Sequence, residues 1–157
     1  MPETVFGLPT HALLVHATVV LVPLAALVVV LHAVWPTARA RLGIVTPLLA
    51  VLALVLTPLS TQSGENLEHS VGHSQLIERH AELADGILPW TLALAVVGIG
   101  VYLLFRTPAD RRPGVRWIPL VATVLAVLVS VGTVQQVVRA GHAGAKATWD
   151  GVIATTP

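Results

Sequence analysis

TQSGENLEHSVGHSQLIERHAELAD, Thr61–Asp85, is the one long polar run in the chain, and its reading decides the fold. It holds three of the seven histidines and five of the eight acidic residues. Apolar sequence flanks it on both sides. Four stretches, Ala12–Val34, Ile44–Leu59, Ile87–Phe105 and Trp117–Val138, approach or exceed the roughly 20 apolar residues that a helix needs to cross a bilayer core about 30 Å thick. None shows the apolar–polar alternation of a half-buried strand. Two spans before the polar run and two after it give an all-α, integral membrane, up-down-up-down four-helix bundle. Its polar, partly helical segment lies between the second and third spans, on one face of the membrane. Residues 1–157 leave room for a single domain of this kind.

Composition agrees. Hydrophobic residues make up 55% of the chain and charged residues 11%, too apolar for an ordinary soluble domain. A net charge of +1 offers no surface for nucleic acid. Without cysteine there is no disulfide, no thiolate metal site and no covalent haem attachment. The residues before the first span carry Glu3 and no base, and the span exceeds a normal signal-peptide core, so it reads as a retained helix despite Ala38-Arg39-Ala40. No phosphate loop, dinucleotide fingerprint or nucleophile–base signature is present, and no catalytic residue is assigned.

The charges give a sidedness. Six of the nine bases, Arg39, Arg41, Arg106, Arg111, Arg112 and Arg116, lie in the first and third connections. All the acids but Asp110 lie at the other end. The positive-inside rule makes those two connections cytoplasmic, so both termini and the polar run face out from a bacterial inner membrane. Six histidines, His11, His16, His69, His73, His80 and His142, fall at this outer end. His32, beside Trp35 near the other end, reads as interfacial. The tail after Val138 is rich in small residues and reads as irregular.

Histidine and carboxylate side chains at one end of a bundle are candidate ligands. Taken as one helix at about 100° per residue, the run brings Glu65, His69, His73 and His80 within a sector of roughly 80°. A break at Gly72–Ser74, with Ser74 capping a new helix, would separate His80 from the others. An amphipathic helix lying wet on the membrane surface would explain the same run without a ligand. His16 lies about a turn inside an apolar helix, where a polar side chain is costly and marks function. His11, five residues earlier, is about 140° around that helix, so one of the pair faces the interior and the other reaches it from the rim. Glu65 and Glu68 could ligate or orient a histidine. A di-iron site would need a second Glu-x-x-His copy, which the chain does not have. His11-Ala12 and His80-Ala81 each lead into an apolar run, a two-residue echo of a duplicated hairpin.

Gly7-Leu8-Pro9-Thr10-His11, followed by Val15-His16, resembles the H-P-x-x-V-H-F-P opening of the domain of unknown function 2231 family. Thr61–Glu65 and His80-Ala81-Glu82 resemble the middle of its actinobacterial members, and Gly141–Trp149 resembles their ending. Ala12 and Ala17-Thr18 stand where the motif has prolines and phenylalanine. The resemblance implies a four-helix membrane protein, and because relatives are sometimes joined to redox domains it implies a haem or metal centre. The residues it carries over are His11, His16, Glu65 and His80.

Three expectations follow. The first is a haem b protein for electron transfer or redox sensing, with His16 and His80 as axial ligands and Arg139 and Lys146 available to the propionates. The second is a copper, zinc or iron site built from His11, His16, Glu65 and His80, with His69, His73 and His142 as further ligands. The third is a structural membrane subunit without a cofactor. The partners are the lipid bilayer, a redox partner protein or a second copy of the chain.

Overall fold

The computed structural model describes residues 4–5, 7–71, 74–106 and 117–149. The chain starts with a minimal antiparallel pair, β1 (Thr4–Val5) and β2 (Leu8–Pro9), turned around Gly7 at φ 78°, a conformation suited to glycine. Six helices follow: α1 (Thr10–Val34), α2 (Pro36–Leu42), α3 (Val45–Val71), α4 (Gln75–Asp85), α5 (Ile87–Arg106) and α6 (Ile118–Trp149). Four helical segments are long and apolar enough to cross a membrane: α1, α3 to His69, α4–α5 taken together, and α6. The protein is therefore an all-α membrane bundle.

Its core is built from small side chains. Ala25, Ala26, Ala50, Ala53, Ala95 and Ala126 are buried where the helices meet. Lipid gives helices no hydrophobic drive to associate, so close backbone approach has to supply the attraction. Hydroxyls tie the helices together: Ser130 donates to the Ala26 carbonyl at 3.1 Å and Thr133 to the Trp90 carbonyl at 3.4 Å. Large side chains such as Val20, Val96, Leu120 and Leu128 point outward, as a lipid-facing girdle requires.

Burial repeats along the chain. Thr18, Val22, Ala25, Ala26, Val29 and His32 of α1 are buried, and so are Ile87, Thr91, Leu94, Ala95, Gly98 and Val101 of α5, each a constant step further on. A second constant step carries buried Thr46, Ala50, Ala53, Thr57 and Ser60 of α3 onto Ala126, Ser130, Thr133, Val137 and Ala140 of α6. α1 packs on both α3 and α6, and α5 on the same two. The bundle is thus two parallel hairpins, α1–α3 and α4–α5–α6, related by an approximate twofold axis along its length.

Three elements differ from the sequence reading. The second span does not end near Leu59, because α3 runs through Pro58 to Val71. The hydroxyls of Thr57, Thr61 and Ser63 donate to the carbonyls of Ala53, Pro58 and Ser60 across this stretch and keep its polar groups satisfied inside the helix. The tail after Val138 is helical to Trp149, not irregular, since α4 packs along it. His32 is buried, not interfacial: its Nδ1 lies 2.8 Å from Thr46 Oγ1 and its ring meets Tyr102 edge-on at 6.1 Å. Close by, Arg39 donates to the carbonyls of His32 and Ala33 at 2.8 Å each and lies over the Phe105 ring. Its guanidinium thereby serves the orphan carbonyls at the end of α1.

Trp90 lies flat over Gly132, where an added Cβ would come within 2.1 Å of the indole. Gly132→Ala is therefore expected to lower the thermal midpoint of the detergent-solubilised protein through an overpacking cost of about 1–3 kcal/mol. Gly100→Ala, with nothing within 4 Å, is expected to hold or slightly raise the midpoint, since alanine suits a helix better than glycine.

Candidate functional site

At the end of the bundle where α1 begins, α4 lies against α6 and borders an open cavity of about 560 Å³. Its position follows from local chemistry. Ser74 caps α4, its Oγ accepting from the Ile77 N–H at 3.2 Å. α4 is then anchored to α6 by Gln136, whose Nε2 donates to the Leu83 carbonyl at 2.7 Å through space that a side chain at Gly86 would fill. The cavity narrows into a recess of about 60 Å³ lined by Val15, Thr18, Thr57, Ile87 and Val137. His11 and His80 line both spaces, so they stand at the junction.

Each of these two rings is held by a backbone carbonyl. His11 Nδ1 lies 3.1 Å from the Ser60 carbonyl oxygen and 3.2 Å from Ser63 Oγ. His80 Nδ1 lies 2.9 Å from the Ala140 carbonyl oxygen. A carbonyl can only accept, so Nδ1 carries the proton in both rings. The lone pair of the neutral imidazole then lies on Nε2. This is how ligating histidines are oriented: one ring nitrogen donates to a carbonyl and the other is left basic for the ligand.

The other expected residues fall in different places. His16 is exposed at the cavity wall, and its Nδ1 bonds the Ala12 carbonyl of its own helix. Glu65 also lines the wall. His69 ends up near the exposed end of α3, His142 on the exposed surface of α6, and neither lines the cavity. Arg139 and Lys146 are exposed on α6 and likewise stand outside the lining. His73 lies outside the described residues. α3 ends at Val71 and α4 begins after the extended Ser74, so His80 is on a different helix from Glu65 and His69 and the run presents no single ligand face. Among the described residues, no three histidine or carboxylate side chains converge closely enough to hold a metal ion.

Several contributors have no signal in residue type. The Ser60 and Ala140 carbonyls are backbone groups. Gly64 and Gly144 lie against the His11 and His80 rings, and only a glycine within a ligand-bearing helical turn hints at such contact. Asp85 joins Glu65 and Glu68 in the lining, so among the described residues the cavity carries three carboxylates and no lysine or arginine.

Fold and cavity together define a four-helix membrane protein with a paired-histidine pocket at one end of the bundle. The family described as "Predicted membrane protein (DUF2231)" matches residues 7–157, and the chain belongs to that family. No curated protein and no solved structure matches the chain.

Both rings are expected to hold the Nδ1–H tautomer in the ligand-free protein at pH 8. Long-range ¹H–¹⁵N correlation spectra of histidine-labelled protein measure this. Exposed His69 and His142 are expected to favour the Nε2–H form usual in water.

Proposed function

We propose that the protein is a membrane b-type haem protein for electron transfer or redox sensing, in which His11 and His80 would hold the haem. The observation that carries this reading is the pair of imidazoles at the junction of cavity and recess, each bonded through Nδ1 to a carbonyl of a different helix with Nε2 left basic. Two histidines from facing helices are a donor set that suits haem in a bundle. The volume also lies within the range of about 300–1,000 Å³ typical of ligand pockets. When bound, haem would supply a one-electron couple. The chain's own part is to orient two neutral imidazoles and, through Val15, Ile87 and Val137, to keep the inner side of the pocket apolar. His11 replaces His16 as first choice because His16 is exposed and does not line the inner recess.

The basic connections support a bacterial inner-membrane orientation with both termini and the pocket extracytoplasmic. A redox partner protein would then approach from that side. The chain lacks cysteine, so single cysteines report sidedness cleanly. A cysteine at Gln75 is expected to react with an impermeant maleimide in intact cells, and one at Arg41 only after permeabilisation.

Purified protein supplied with haem is expected to show a Soret band and a sharpened α-band on reduction. His11→Ala and His80→Ala should each remove the six-coordinate, low-spin signature and weaken retention by at least the roughly 10–100-fold that loss of an outer-shell partner costs. His69→Ala should change neither. A wild-type protein without a Soret band after haem supplementation rejects the proposal.

A further inference from the structure

The two histidines are held by one local device used twice. The His11 ring bonds the Ser60 carbonyl and lies on the backbone of Gly64, one helical turn later, where an added Cβ would be 2.9 Å from Cε1 and 3.2 Å from Nδ1. The His80 ring bonds the Ala140 carbonyl and lies on Gly144, again one turn later, where an added Cβ would be 2.9 Å from Cε1 and 3.0 Å from Nδ1. Ser60 and Ala140 are equivalent in the repeat of burial that relates the two hairpins. The same step carries Gly64 onto Gly144. The step that relates α1 to α5 carries His11 onto His80. These matches involve different helices and different bonds, yet they reproduce each other within tenths of an ångström.

We propose that Gly64 and Gly144 are a matched pair of positioning residues that aim the two Nε2 atoms at a shared point on the approximate twofold axis. The pocket accordingly takes a ligand with two equivalent, opposed bonding positions. On the haem reading above, on which this ligand assignment rests, His11 and His80 would hold the haem iron through their Nε2 atoms. The carbonyl fixes where each ring hangs and the glycine fixes its plane. A methyl group at either glycine pushes the ring off its carbonyl, because the imidazole is the movable partner of that contact. Tautomer and aim are then lost together.

The test compares Gly64→Ala, Gly144→Ala and the open-space control Gly100→Ala in the full-length protein. In haem titrations both site variants should bind about 10–100-fold more weakly and to similar extents, with low-spin iron turning high-spin, and Gly100→Ala should match wild type. An unchanged spin state with only a lowered melting midpoint would mean that the glycines merely pack, and would overturn the proposal. So would an effect in one variant and none in the other.

A double-mutant cycle of melting midpoints in haem-free protein works whether or not haem is the ligand. Gly64→Ala should cost little once His11→Ala has removed the ring, but should keep its full cost beside His80→Ala. A cost independent of the His11 ring would overturn the positioning role. Should Gly64→Ala alone not fold, recovery of folding in the His11→Ala background supports the positioning role, and failure to recover overturns it. A protein that shows the coupling but no Soret band would reject haem and keep the paired cradle.

Discussion

The imidazole-to-carbonyl hydrogen bond is the interaction on which the site depends. In a helix the carbonyls of Ser60 and Ala140 would ordinarily be met by N–H groups four residues on, which here belong to Gly64 and Gly144. A carbonyl has two lone pairs, so it can serve its own helix and accept from a ring as well. The approach is possible only because no side chain stands at the residue that closes that helical turn. Carbonyl, glycine and histidine therefore form one unit. The unit explains why a residue type that weakens helices occurs within two helices that are otherwise continuous.

A wide apolar bundle would not by itself place a polar pocket at one end. α3 and α6 do so by overrunning the bilayer. At about 1.5 Å per residue, the 32 residues of α6 reach well beyond a hydrocarbon core of roughly 30 Å. α4 fills the shelf that this creates, tied to α6 by the Gln136–Leu83 and His80–Ala140 bonds. The pocket is the gap left under α4, and its carboxylates sit where water reaches them.

The spans and their order were legible from the sequence because apolar run length is a strong signal, and the Ser74 break because a serine before an amphipathic run is a cap. Where α3 and α6 stop was not. Loss of hydrophobicity marks the edge of the membrane, not the end of a helix, and Leu59 and Val138 were such edges. Which of His11 and His16 faces inward was also hidden. Lipid and core are equally apolar, so a membrane helix has little amphipathic signature to orient it. His32 was misread for the same reason: nearness to Trp35 suggested an interface, whereas the ring turns toward Thr46. The His-Ala echo is too brief to imply duplication alone. The repeat lies in which positions are buried, and sequence does not print burial.

Each hairpin crosses the membrane twice and so returns to the face from which it set out. A unit with that property can be copied head to tail without inverting either copy. Such a hairpin can pair in parallel with its twin either as a separate chain or as the second half of one chain. Fusion leaves the halves free to diverge: Glu65 and Glu68 stand beside the Gly64 turn where the other half has Ala145 and Thr148 beside Gly144.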